Sequence, residues 1–137
     1  MRARLDVEGT GGLSVRVDPR HAVELECSAG RVQAVWAVGA VRHVLGEAGL
    51  PADGELEIRL LPDEAGSPFL GRGPDIVVAG VTADGAFAEL GRVDGRYLST
   101  EVAGGMTGRM LGVTCSSGAV LVRSFEYIGA DDPAALP

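Results

Sequence analysis

The chain has 137 residues, of which 46% are hydrophobic, and a formal net charge of -7. This length fits one domain, which can bury roughly two-thirds of its unfolded surface. The acidic balance argues against a nucleic-acid binder, which needs a basic surface to neutralise phosphates. The absence of a long apolar run excludes a transmembrane helix. Because no signal peptide is evident, we expect a cytoplasmic protein without a membrane partner.

Alternation of apolar and polar side chains predicts strands in the first third of the chain. Residues 3–8 and 13–18 follow the period of two that marks a half-buried strand. The glycine-rich stretch Gly9–Gly12 between them predicts a break. After a proline turn at Asp18–Arg20, further strands are predicted at 23–27, 32–38 and 41–45.

The same pattern continues through the rest of the chain. Residues 62–74 contain several prolines and glycines and predict an exposed loop. Asp84-Gly85 and Asp94-Gly95 are hairpin-turn signals, and Ser116–Gly118 is predicted to join the last two strands. The strands of this half are predicted at 56–60, 75–81, 87–93, 110–115 and 119–128.

Strand signals therefore recur about every ten residues, and no convincing helix interrupts them. This recurrence is typical of an antiparallel β-sandwich or barrel. We predict an all-β fold with one domain over residues 1–129 and a flexible tail over residues 130–137.

The two cysteines, Cys27 and Cys115, each sit in an apolar alternation. This setting favours buried free thiols, although a single disulfide stays open because spacing alone cannot pair them. No Cys-x-x-Cys motif or Cys/His cluster occurs, so a zinc site is not expected.

Three aromatic side chains are candidates for the core. Trp36 points to the same side of its strand as the small apolar residues around it, which favours the core over an exposed platform. Phe125 and Tyr127 share one face of the last strand, and at least one of them should be buried.

Tyr97 is the best candidate for an exposed aromatic, because it lies beside the turn signal at Asp94-Gly95. An exposed ring with polar neighbours can stack on a sugar. Arg96 and Glu101 would supply such neighbours, so all three are candidate contact residues.

The reactive side chains do not form a recognised catalytic set. Glycosidases need two carboxyl groups at a defined separation, and Glu89 and Glu101 are the candidates for such a pair. Sequence does not fix that separation, so structural or solvated roles are favoured. The same holds for His21 and His43, and no serine lies in a nucleophile arrangement.

Calcium is the one cofactor for which oxygen ligands can be named. Asp131 and Asp132, together with Asp6 or Glu8, could supply them. None of these residues has a diagnostic spacing, so a solvated acidic tail is favoured and no cofactor is expected.

The run Leu90–Arg109 resembles part of the C-terminal module of family 43 glycoside hydrolases, the concanavalin A-like (jelly-roll) β-sandwich of β-xylosidases. The resemblance rests on Leu98-Ser99-Thr100-Glu101, on Gly104-Gly105-Met106-Thr107-Gly108 and on the closing Phe125-Glu126-Tyr127. It extends over roughly residues 12–129 and implies the fold of that module.

Two departures from the family pattern matter. Family enzymes carry a catalytic propeller before this module, and the chain has none. The family sandwich also starts with further strands, so this chain is expected to lack some N-terminal strands. Met106 stands where the family loop commonly has Phe. In the family this residue reaches toward the propeller, so Met106 and Thr107 are further candidate contact residues.

The resemblance implies a non-catalytic accessory domain that packs against a glycoside hydrolase catalytic domain or a partner chain and helps to shape a carbohydrate site. The family association is with β-xylosidases and arabinofuranosidases, but we do not expect an enzyme in this chain alone. Two alternatives remain open. One is a stand-alone module that binds xylan-type oligosaccharides, and the other is a homodimeric domain without a ligand. Unpaired sheet edges would favour the latter.

Overall fold

A computed structural model of the protein describes residues 1–62 and 75–129. The eight strands are β1 (Arg2–Asp18), β2 (His21–Ser28), β3 (Arg31–Val38), β4 (Val41–Gly49), β5 (Glu55–Pro62), β6 (Asp75–Ala83), β7 (Ala86–Asp94) and β8 (Met110–Glu126). Between β7 and β8 lie a 3-10 turn at Gly95–Leu98 and the short helix α1 at Thr100–Ala103. The two helical turns were not predicted. In the described part of the chain neither is nearly long enough to span a membrane.

Strand β1 connects the two layers of the fold. All pairings are antiparallel, in the order β4-β3-β2-β1-β5-β6-β7, and β8 also pairs with β1. The first residues of β1 pair with β5, whereas Thr10 onwards pairs with β2. The chain thus passes from one layer into the other within a single strand. The fold is an antiparallel β-sandwich, as the sequence predicted.

Gly9 and Gly118 form the corner where β1 and β8 turn together. They are direct partners in the ladder, and their φ angles are +99° and +73°, a region that side chains disfavour. A Cβ at Gly118 would lie 1.9 Å from the carbonyl oxygen of Glu8. The predicted breaks at Gly9–Gly12 and Ser116–Gly118 are therefore wrong. The glycines bend two continuous 17-residue strands and do not end them.

The core lies between the layers and is built from the inward-facing residues of β1, β2, β3, β5 and β6. Leu98 enters it from the 3-10 turn and is 1% exposed. Trp36 packs against this core, as predicted. The most completely buried large side chains are Leu13, Leu25, Leu56, Ile58 and Leu98.

The last strand departs from the predicted core. Phe125 is 44% exposed and Tyr127 is 62% exposed, so the prediction that at least one of them is buried is wrong. Both lie at the margin of the described sheet, where the opposite layer does not cover them. The predicted loop at 62–74 and the predicted tail at 130–137 lie outside the described residues, apart from Pro62, which ends β5.

The cysteines occupy different environments. Both thiols are free, but Cys27 is buried whereas Cys115 is exposed on β8. Burial raises the pKa of Cys27 to about 11. The prediction of a buried thiol is thus confirmed for Cys27 and wrong for Cys115.

We expect Gly118→Ala to destabilise the protein by about 2 kcal/mol or more, because the new Cβ meets backbone at a positive φ angle. Gly112→Ala is the matched control in the same strand, since open space surrounds Gly112. Urea unfolding followed by circular dichroism measures both. Equal stability of the two variants would contradict the account of the corner.

Candidate functional site

The candidate residues Arg96, Tyr97, Glu101, Met106 and Thr107 all lie on one connection between β7 and β8. We call residues 94–109 the anchored segment. At its start, Asp94 accepts a hydrogen bond from the backbone N–H of Arg96 and also pairs with the Arg96 guanidinium. Hydrogen bonds from Arg96 hold the pKa of Asp94 below its usual range. The segment thus begins with a capped turn.

Arg109 fixes the other end of the segment. Its Nε donates to the carbonyl of Leu98 at 2.9 Å, and its Nη2 donates to the carbonyl of Gly95 at 2.7 Å. The guanidinium also forms a two-armed ion pair with Asp75 at the start of β6. One half-buried side chain therefore joins the 3-10 turn, β6 and the beginning of β8.

Gly95 lets the 3-10 turn pack closely against the start of β6. A Cβ at this position would lie 2.1 Å from the Asp75 Oδ1 and 2.6 Å from the Asp75 carbonyl oxygen. The turn and β6 can therefore approach only if residue 95 has no side chain. The sequence motif included Arg109, but its partner Asp75 is far away in the chain, so sequence reasoning missed the pair.

Tyr97 is exposed at the surface, as predicted, with 41% of its area accessible. Its ring contacts that of Trp36 at a centroid distance of 4.8 Å and a tilt of 59°. Trp36 is half-buried, and among the described residues its buried indole Nε1 finds no hydrogen-bond partner. Packing, and not hydrogen bonding, therefore holds the indole under Tyr97.

The tip of the segment is open to solvent. Met106 is fully exposed, and Thr107 donates a hydrogen bond to the Val17 carbonyl at 3.4 Å. Glu101 lies in the first turn of α1, where its own backbone N–H and the Ser99 side chain hold its pKa below the usual range. A lowered pKa suits a permanent carboxylate and does not suit a general acid.

The other candidate reactive groups have structural partners or lie apart. Glu89 pairs with Arg92, whose hydrogen bonds lower the pKa of that carboxyl. The buried His21 contacts Asp18 through its Nδ1 at 2.9 Å, closing the turn between β1 and β2. His43 is exposed on β4. Glu89 and Glu101 each form hydrogen bonds with their own neighbours and not with each other, so they do not form a catalytic pair.

No group of three or more His, Cys, Asp or Glu side chains gathers for a metal within residues 1–62 and 75–129. Of the residues considered for calcium, Asp6 pairs with Arg123, and Glu8 is exposed. Asp131 and Asp132 lie outside the described residues.

A concave feature of about 560 Å³ opens where β1 begins beside β5. Its lining includes Glu57, Arg59 and Thr82. Burial raises the pKa of Glu57, but hydrogen bonds from Arg59 and Thr82 outweigh it and leave the pKa lowered. The polar side chains of Glu57, Arg59 and Thr82 therefore satisfy one another.

No family model matches the chain. A solved structure similar to it is the Bacteroides ovatus chain known as xyloglucan PUL GH43B, at 23% sequence identity and a TM-score of 0.55. The match covers 82% of this chain and 22% of that chain, so this protein spans about a fifth of its neighbour's length. At this identity the likeness shows the fold. The protein thus has a β-sandwich fold that is similar to part of that chain.

We expect Arg109→Lys to loosen the anchored segment, because an ammonium cannot hold two carbonyls and a carboxylate in the geometry of a guanidinium fork. The predicted loss is about 2 kcal/mol of unfolding free energy. Arg92→Lys is the control, because its ion pair with Glu89 is exposed and should contribute under about 1 kcal/mol. Thermal and urea unfolding of both variants measures the two losses of unfolding free energy. If Arg109→Lys behaves like the control, Arg109 is not the anchor.

Proposed function

We propose that the protein is a non-catalytic accessory domain that packs against a glycoside hydrolase catalytic domain of the family 43 type. In this proposal the anchored segment is the face that meets the partner and helps to shape a carbohydrate site there. The observation that carries the proposal is the exposure of Met106 at the tip of a segment fixed by Arg109. A solvent-exposed apolar side chain at the tip of a loop whose base is held in place is suited to fill a pocket on another surface.

The composition of the segment supports contact and not chemistry. Tyr97, Val102 and Met106 are large exposed apolar side chains within one short stretch. The carboxylates next to them have lowered pKa values and local partners, which suits fixed charges at the rim of an interface. The xyloglucan name of the Bacteroides ovatus neighbour supports a plant polysaccharide as the substrate of such a partner.

A carbohydrate-binding module is the second candidate, and the Trp36–Tyr97 contact favours it. The exposed Tyr97 ring is held in place by a half-buried indole, so it would lose little freedom on stacking against a sugar. His43 lies directly opposite Trp36 in the β3–β4 ladder and is exposed, which adds a hydrogen-bonding group nearby.

To test the accessory role, a family 43 catalytic propeller encoded in the same genome is titrated with the protein by calorimetry. Wild type should bind, and Met106→Asp should weaken binding by about tenfold or more, since it places a charge at the centre of the contact. Val44→Asp, an exposed apolar position on β4, should bind like wild type. No binding by wild type, or equal loss in both variants, would overturn the proposal.

To test the second candidate, the protein alone is titrated with xylo-oligosaccharides and xyloglucan oligosaccharides. A carbohydrate-binding module predicts binding that Tyr97→Ala weakens, while Tyr127→Ala, at another exposed tyrosine, leaves it unchanged. If neither oligosaccharide gives a heat of binding, the carbohydrate-binding module is excluded. Hydrolysis of nitrophenyl xyloside or arabinofuranoside by the protein alone would contradict both candidates.

A further inference from the structure

Strand β8 presents a long free edge. It runs along β1 from Met110 to Glu126, with Ser116 and Arg123 left out of the register, and no other described strand pairs with it. The backbone N–H and C=O groups on its other side therefore point away from the sheet. An edge of this kind is a template for another extended chain.

Inward-facing side chains near the end of β8 are exposed although their partners in β1 are buried, whereas Leu111, Val113 and Val120 are half-buried and pack against the core. Directly opposite residues of an antiparallel pair project from the same face of the sheet. Leu5 faces Val122 and Ala3 faces Phe125. Leu5 and Ala3 are 7% and 1% exposed, whereas Val122 and Phe125 are 46% and 44% exposed. The apolar core therefore runs on past β1, and within the described residues its end at Val122 and Phe125 has no cover.

The other two edges are protected and β8 is not. β4 and β7 lie against each other, since a Cβ at Gly46 would meet the Leu90 carbonyl oxygen at 2.1 Å. Both strands also carry charged side chains along their length, such as Arg42 on β4 and Arg92 on β7. From Met110 to Val122, β8 contains neither a charged residue nor a proline.

We propose that β8 pairs antiparallel with β8 of a second copy of this chain. When the charge-free run from Met110 to Val122 pairs with the same run of a second copy, no like charges oppose one another within it, despite the net charge of -7 on each chain. The charges that flank it are already neutralised within the chain, since Arg123 pairs with Asp6 and Glu126 pairs with Arg2. A two-fold axis uses both free edges at once and leaves none for further growth.

The proposed pairing makes Cys115 a reporter. Cys115 lies near the middle of the run and is exposed. If the run pairs with itself in full, the two copies of Cys115 lie diagonally across the new strand pair, at about 7–8 Å. A short bismaleimide would then link them, whereas the buried Cys27 would not react.

This inference is independent of the proposed function, because it uses β8 and not the anchored segment. Sedimentation velocity of wild type, from micromolar to near-millimolar concentration, should show a dimer. Val122→Lys and Leu121→Lys place charge on either face of the run and should each give a monomer with unchanged circular dichroism. Val41→Lys, an exposed valine on the β4 edge, is the matched control and should remain a dimer.

A wild-type monomer at every concentration would overturn the proposal, as would a dimer that both β8 variants retain. Failure of the bismaleimide to link Cys115 in a proven dimer would overturn pairing through the middle of β8. If the protein stays monomeric and Val122→Lys abolishes binding to the catalytic propeller, the edge belongs to that partner and not to a second copy. The Met106→Asp titration reports on the anchored segment separately from each of these outcomes.

Discussion

The two layers of this sandwich depend on the ladder between β1 and β8. Both strands run through both layers, and the facing pair Gly9 and Gly118 lets them turn the corner together. Continuous strands are possible here because neither glycine places a side chain between the two backbones. The same ladder leaves β8 at the margin of each layer, so the feature that joins the layers also creates the open edge.

The anchored segment depends in turn on that ladder, because Arg109 immediately precedes β8. From this position its guanidinium reaches Asp75 and the carbonyls of Gly95 and Leu98. Leu98 then inserts into the core beneath the turn. Met106 and Tyr97 are thus displayed on a support that belongs to both layers. A surface held in this way is suited to presenting side chains to a partner, and the carboxylates around it stay ionised.

Much of the fold could be predicted from the alternation of apolar and polar side chains. The errors of that prediction have a physical origin. The glycines at Gly9–Gly12 predict a strand break, but at this corner glycine permits close backbone approach. Phe125 follows a core-facing pattern, yet the pattern cannot show that the facing layer stops short of it. Local sequence correctly predicted an exposed Tyr97. The Arg109–Asp75 pair escaped prediction because long-range partners leave no local signal.

We expect the anchored segment to be preorganised in the free protein, so that it can act by contact. Native-state hydrogen exchange of the wild-type protein tests this most directly. The amides of Ser99, Ala103 and Gly104 donate backbone hydrogen bonds and should exchange slowly, at rates near those of β6, while the tip around Met106 exchanges fast. Fast exchange throughout the segment would contradict the claim, because a segment that opens freely presents no fixed surface.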